Sequence, residues 1–134
     1  MYQPRRQPEF TAEPHGMVQL KWQDELIIIS TQGPFNVEGI KLAGLSIRES
    51  VAKQALNSWI RLDITDDNAL GDPEVISLIG RNYQWGFENG CRAMALVYCN
   101  SLQKVLCEEF LSQSPLNIKL FFCVQEAEEW LRTQ

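Results

Sequence analysis

The chain contains a single histidine, His15, and this scarcity limits the chemistry that the protein can perform. A catalytic serine or cysteine needs a base beside it, most often a histidine. His15 lies in a proline-rich stretch without apolar periodicity, where we expect a solvated side chain. The sequence also lacks a P-loop and a G-x-G-x-x-G fingerprint. It therefore identifies no catalytic residue and no cofactor.

Cysteines with the spacing of metal ligands or redox pairs are absent as well. The four cysteines form no C-x-x-C pair, and most of them lie in or beside apolar segments. We therefore expect reduced and mostly buried thiols in a cytoplasmic protein, and no metal site built on them. These residues are Cys91, Cys99, Cys107 and Cys123.

Long apolar runs and an excess of positive charge are also missing. No apolar run approaches the roughly 20 residues that cross a bilayer. Arg5 and Arg6 precede no apolar stretch of the kind that marks a secretory signal. The net charge is −5, whereas nucleic-acid binding needs a basic surface. We therefore expect neither a membrane span nor a nucleic-acid partner.

The 134 residues do contain an alternation of strand-like and helix-like segments, and this length suits one domain. The predicted elements are a hairpin over 17–31, helices over 36–56, 73–88, 102–111 and 125–131, and strands over 59–64, 91–98 and 118–122. Strands separated by helices pair in parallel. The order ββαβαβαβα thus predicts an α/β domain over 17–134. Its mixed five-stranded sheet has an antiparallel hairpin and helices on its faces. Residues 1–16 are expected to form an extended or disordered arm.

Four segments of this pattern resemble a known family. They are Trp-Gln-Asp-Glu-Leu at 22–26, Gly-Pro-Phe at 33–35, Leu-Asp-Ile at 62–64 and Glu-Ala-Glu-Glu-Trp-Leu at 126–131. With the element order over 17–133, they resemble the STAS domain of anti-sigma-factor antagonists and its SpoIIAA-like relatives. The resemblance implies a small bacterial cytoplasmic protein that regulates by binding a partner.

The same resemblance implies a phosphorylated serine at the start of the second helix, where phosphorylation releases the partner. The positions that match the family's two serines hold Pro73 and Glu74 in this chain. Thr65 and Ser77 are hydroxyl residues nearby, but neither stands at a matching position. We therefore predict that the phosphoserine switch is absent.

An acidic loop after the third predicted strand is the predicted binding site. A strand that delivers its end to a helix start builds a polar crevice in α/β proteins. Asp72 is the expected N-cap of the helix that follows, with Pro73 at its first position. The predicted site comprises Asp63, Thr65, Asp66, Asp67, Asp72 and Glu74, together with Asn100 and Ser101 at the end of the next strand and Trp85 on the second helix.

Three functions remain open at this point. The first is a non-enzymatic module that docks a protein partner or small ligand at 65–76. The second is a carrier that holds an apolar ligand or a nucleotide between the second and third helices and the sheet, in a cavity lined by Leu78, Ile79, Tyr98 and Phe122. The third is an enzyme in which Asp63, Asp66, Asp67 and Asp72 hold a metal such as Mg²⁺.

Simpler structural roles compete with each of these residues. The acidic loop would be a solvated loop with a helix cap, Ser101 would be an N-cap, and Cys99 would be a packing residue. Trp85 would either pack against a neighbouring helix or lie in a contact surface for a partner or for a second copy in a homodimer.

Overall fold

The computed structural model describes residues 12–69 and 72–134, and these residues form a five-stranded sheet with four helices. The order confirms the predicted ββαβαβαβα arrangement. The elements are β1 (Met17–Gln23), β2 (Leu26–Gln32), α1 (Val37–Gln54), β3 (Trp59–Thr65), α2 (Pro73–Glu88), β4 (Cys91–Val97), α3 (Ser101–Leu111), β5 (Ile118–Phe121) and α4 (Val124–Leu131).

The strands lie in the sheet in the same order as in the chain. β1 pairs antiparallel with β2, and β3, β4 and β5 follow in parallel. A right-handed crossover between neighbouring parallel strands always carries its helix over the same face. α1, α2 and α3 accordingly share one face of the sheet, and α4 covers the other. This sheet has no point at which the strand order reverses.

Two apolar clusters fix the helices to these faces. β2 is apolar on both sides, because Leu26 faces α4 while Ile27 and Ile29 face α1. Leu26, Ile27 and Ile29 are fully buried, as the uninterrupted apolar run of β2 predicts, whereas Ile28 is half-buried. On the α1 side, Trp59 forms an edge-to-face contact with Trp22 at a centroid distance of 6.3 Å. β2 and β3 are therefore largely shielded from water on both faces, whereas alternate residues of β1 are exposed.

On the face covered by α1, α2 and α3, a side-chain cap lies at the start of each helix. Asn36 Oδ1 accepts from Gly39 N at 2.8 Å, and Asp72 Oδ1 accepts from Val75 N at 3.0 Å. The predicted cap of α2 is therefore confirmed. The prediction that Ser101 caps α3 is wrong, since Asn100 does so. Asn100 adopts an extended backbone and Ser101 is already helical.

Residues just before β1 contact the start of α1. Asn36 Oδ1 also accepts from His15 N at 2.8 Å, and Asn36 Nδ2 donates to the Glu13 carbonyl at 2.8 Å. Residues 1–11 of the predicted arm lie outside the described residues, and the boundary at residue 16 stays a prediction.

Removal of the α2 cap should destabilise the protein. Asp72→Ala is expected to lower the free energy of unfolding by about 1 kcal/mol, because the Val75 N–H loses its acceptor. Urea denaturation measures this change. Ser77→Ala, on an exposed position of the same helix, is the control and should cost nothing comparable. Equal stability of Asp72→Ala and the unchanged protein would contradict the capping role.

Candidate functional site

The acidic loop is bound to the start of α3 by one buried side chain, Gln103. Gln103 is only 2% exposed; its Nε2 donates to the Asp66 carbonyl and its Oε1 accepts from Cys99 N at 2.7 Å. The Thr65 hydroxyl lies 2.9 Å from the same oxygen and 2.8 Å from the Val97 carbonyl. The ends of β3 and β4 are thus held together. Sequence reasoning missed Gln103; the only signal was its position three residues after the Asn100 cap.

The remaining predicted residues of this edge differ in exposure. Asp66 is half-buried, and its Oδ1 accepts from Gly33 N and Asn68 N at 3.2 Å. Asp67 is exposed, with its carbonyl accepting from Asn100 Nδ2 at 3.3 Å. The side chains of Asp72, Glu74 and Ser101 are exposed to solvent. We call this surface, formed by residues 65–69, 72–76 and 99–101, the acidic edge.

Asp63 does not join the acidic edge, contrary to the expected cluster of four aspartates. It lies on the side of β3 that faces α1, α2 and α3, where it pairs with Arg61 two residues away. The Arg61 Nε to Asp63 Oδ1 distance is 2.6 Å, and the Nη2 to Oδ2 distance is 2.9 Å. Arg61 is 3% exposed and Asp63 is 5% exposed. An arginine and an aspartate at positions i and i+2 of an otherwise apolar strand were the signal for this pair, which sequence reasoning did not use.

A cavity of about 130 Å³ lies above this ion pair, between the sheet and α1, α2 and α3. Of the four residues predicted to line a carrier cavity, Ile79 and Tyr98 do so, and so do Asp63 and Thr65 from the predicted site. Leu78 instead packs between α1 and α2, and Phe122 is 69% exposed. A nucleotide is too large for this volume, since pockets for ligands of that size occupy roughly 300–1,000 Å³.

Two buried polar atoms, each on a residue that lines this cavity, lack a hydrogen-bond partner among the described residues. They are Arg61 Nη1 and Asn82 Oδ1, and both are inaccessible to solvent. Asn82 lies on α2 where α1 approaches closely, because a Cβ at Gly44 would be only 3.1 Å from its Nδ2. The Arg61 guanidinium also lies 5.1 Å from the centre of the Tyr83 ring.

The ion pair changes the protonation chemistry of the cavity. Burial tends to lower the pKa of Arg61, but the adjacent charge of Asp63 and the hydrogen bond to it raise that pKa above its ordinary value. Burial, followed by the charge of Asp63, raises the pKa of Tyr83 well above its ordinary value. At neutral pH the cavity wall therefore carries a guanidinium, and the phenol stays uncharged.

Trp85 packs against α1 rather than forming an open aromatic surface. It is half-buried and belongs to the cluster that contains Ile47 and Val51. The Arg48 guanidinium lies 5.4 Å from the centre of its ring. Packing against a neighbouring helix therefore accounts for the position of Trp85.

The cysteines are less buried than expected. Cys91 is buried and Cys107 is half-buried, but Cys99 and Cys123 are exposed. Burial raises the pKa of Cys91 to about 11. The Cys99 thiol donates to Asp67 Oδ1 at 3.3 Å, and this hydrogen bond raises its pKa. Cys99 is therefore not the packing residue that the sequence suggested, and its environment disfavours the reactive thiolate.

No group of three or more His, Cys, Asp or Glu side chains within 12–69 and 72–134 is placed to hold a metal ion. The aspartates considered as Mg²⁺ ligands lie in different environments. Asp63 is buried in the sheet interior, whereas Asp67 and Asp72 are exposed to solvent. Within the same residues, none of the helices has the length and apolar character needed to cross a bilayer.

Removal of one member of the ion pair should destabilise the protein more than removal of both members. Arg61→Met leaves the Asp63 carboxylate buried without its partner and should cost about 3–5 kcal/mol of unfolding free energy. Arg61→Met with Asp63→Leu replaces both charges by apolar groups and should recover most of that loss. Urea denaturation of both variants tests this, and equal destabilisation would contradict it.

The hydrogen bond from Cys99 to Asp67 should slow thiol modification. Asp67→Asn removes the negative charge, so the pKa of Cys99 should fall and its thiolate fraction at neutral pH should rise. Alkylation by iodoacetamide, followed by peptide mass spectrometry, should then be faster at Cys99. Half-buried Cys107 is the internal reference, because burial is the main cause of its raised pKa. Unchanged alkylation of Cys99 would rule out this effect.

Comparison with known proteins identifies the fold. No family model matches the chain, and no curated protein matches it in sequence. Solved structures do match, among them an anti-sigma factor antagonist from Mycobacterium paratuberculosis with 13% identity and a TM-score of 0.60, covering 87% of this chain and 94% of its own. The NMR structure of the protein TM1081 has 19% identity and a TM-score of 0.67, covering 97% and 100%.

A third solved structure is an uncharacterized protein with a SpoIIAA-like fold from Shewanella loihica, with 12% identity and a TM-score of 0.59, covering 92% of this chain and 99% of its own. At these identities the likeness concerns the fold. The resemblance drawn from the sequence is confirmed at that level: the chain has the STAS-like, SpoIIAA-like fold of the anti-sigma-factor antagonists.

Proposed function

We propose that this protein is a non-enzymatic regulatory module that binds a protein partner at the acidic edge. The observation that carries the proposal is the Gln103 clamp, which joins the loop after β3 to the start of α3. A surface that is already ordered loses less conformational entropy on binding than a loose loop does. The fold is shared with an anti-sigma factor antagonist, a regulator by its name.

The charge of the acidic edge indicates the chemistry of the partner. Asp67, Asp72 and Glu74 are exposed there, and the whole chain carries a net charge of −5. A basic surface on the partner would be steered toward this edge and held in register by these carboxylates. Binding should therefore weaken as the salt concentration rises.

We further propose that binding at this edge is not controlled by phosphorylation at the start of α2. Pro73 and Glu74 carry no hydroxyl group, and both are exposed in the first turn of the helix. Glu74 places a permanent negative charge near the helix N-terminus, where it is favourable. A reducing compartment such as the cytoplasm would suit the four free cysteines.

Charge reversal at the acidic edge tests the docking surface. Glu74→Lys should lower the capture of a partner from lysate of the native host by at least about tenfold, because it opposes a basic surface. Quantitative mass spectrometry of the captured proteins is the measurement. Glu129→Lys, on exposed α4 across the sheet, changes the net charge equally and is the matched control.

The comparison of the two variants decides the proposal. A protein captured by the unchanged chain and by Glu129→Lys, but lost with Glu74→Lys, supports docking at the acidic edge. A captured protein that both variants lose equally would show a dependence on net charge alone. Retention of every captured protein by Glu74→Lys would place the docking surface elsewhere.

A further inference from the structure

The helices α2 and α3 stand apart on their face of the sheet, and the cavity lies between them and the strands. α1 and α2 pack directly, whereas no Cα atom of α2 lies within 8 Å of a Cα atom of α3, and both helices are described throughout. Side chains span the gap instead. The ring of Phe110 on α3 meets Tyr83 on α2 edge to face at 5.9 Å, and a Cβ at Gly80 would lie 3.0 Å from Phe110 Cε1.

The exposure of the lining residues shows which side of the cavity is nearest to solvent. Its walls on the sheet and on α1 are buried, as at Ile29, Ala43 and Leu96. Its walls on α2 and α3 are half-buried, as at Ile79 and Leu106. A small molecule would therefore have its shortest way in between α2 and α3, where only side chains have to move aside.

Most of the lining side chains are apolar, and most of the polar ones already have partners within the protein. The Thr31 hydroxyl donates to the Ile64 carbonyl at 3.3 Å. Thr65 and Gln103 contact each other and the backbone of the loops. Such groups have little hydrogen-bonding capacity left for a ligand.

We propose that this cavity binds a small uncharged apolar molecule, with the size of one aromatic ring or of a short aliphatic chain. The molecule would lie against Ala43 of α1, Ile79 of α2 and Leu106 of α3, and burial of its apolar surface would drive binding. The site lies beneath the helices, whereas the acidic edge is a surface, and the proposal does not depend on a protein partner.

The volume of the cavity limits the size of the ligand. About 130 Å³ is close to the roughly 150 Å³ of an engineered apolar cavity that stays dry and takes up benzene. Pockets for drug-sized ligands occupy roughly 300–1,000 Å³, so a nucleotide or a long acyl chain would need far more space.

The ion pair disfavours a charged ligand of either sign. Both carboxylate oxygens of Asp63 accept from Arg61, and the two charges neutralise each other. An anion or a cation in the cavity would therefore remain without a counter-charge and out of water, which is costly. The raised pKa of Tyr83, caused first by burial, agrees with an environment that resists charge.

Three probes that share one aromatic ring test this selectivity. Toluene is uncharged, benzoate is an anion at neutral pH, and benzylamine is a cation. Titration of the 15.4 kDa protein, followed by amide NMR shifts, gives a dissociation constant for each. Toluene should bind at least about tenfold more tightly than either charged probe. The largest shifts should occur at lining residues of α2 and α3.

Two pairs of variants assign the binding to this cavity. Ala43→Phe fills it from α1, and Ala52→Phe makes the same change at an exposed position of that helix. Leu106→Trp fills it from α3, and Val105→Trp is the control at a position that is 56% exposed. Each filling variant that keeps a folded amide spectrum should lose toluene binding by at least about tenfold, and the controls should keep it.

Three results would overturn the proposal. Benzoate or benzylamine binding as tightly as toluene would show that the cavity does not select against charge. No shift with toluene would mean that the space between α2 and α3 is a packing gap that takes up no ligand. Equal toluene binding to the filling variants and their controls would place the ligand outside the cavity.

Discussion

The handedness of the crossovers is the constraint on which the arrangement of this protein depends. β2, β3, β4 and β5 are parallel neighbours in chain order, so each right-handed connection carries its helix over the same face. α1, α2 and α3 therefore form one layer, and α4 is left to cover the opposite face. Three helices resting side by side on a twisted sheet do not fill the space between them completely, and the cavity lies there.

The ion pair of Arg61 and Asp63 adds two buried charges to the otherwise mostly apolar lining of this cavity. Both residues lie on a strand whose other side is apolar, and burial of two charges is tolerated only because they pair at hydrogen-bond distance. Such a pair does not by itself stabilise a fold relative to apolar residues of similar size. One guanidinium nitrogen, Nη1, has no hydrogen-bond partner in the described residues, and an unpaired buried donor adds to the cost of burying the pair.

Much of the fold was predictable because its signals are local. The uninterrupted apolar run of β2, the caps Asn36 and Asp72, and the alternation of elements each depend on residues close in sequence. The site was less predictable because it depends on order in space. Sequence reasoning grouped the aspartates by their closeness in the chain, whereas the alternation of side chains along β3 places Asp63 on the face covered by α1, α2 and α3. Asn100 and Ser101 are both good caps by type, and only the backbone conformation distinguishes them.

The cavity and the acidic edge are not independent parts of the molecule. Thr65 and Gln103 line the cavity, and the same two side chains hold the loop after β3 to the start of α3. The side chains that order the acidic edge are therefore also part of the wall of the cavity. Order at the acidic edge therefore depends on the packing of side chains inside the domain as well as on the hydrogen bonds of the loop itself.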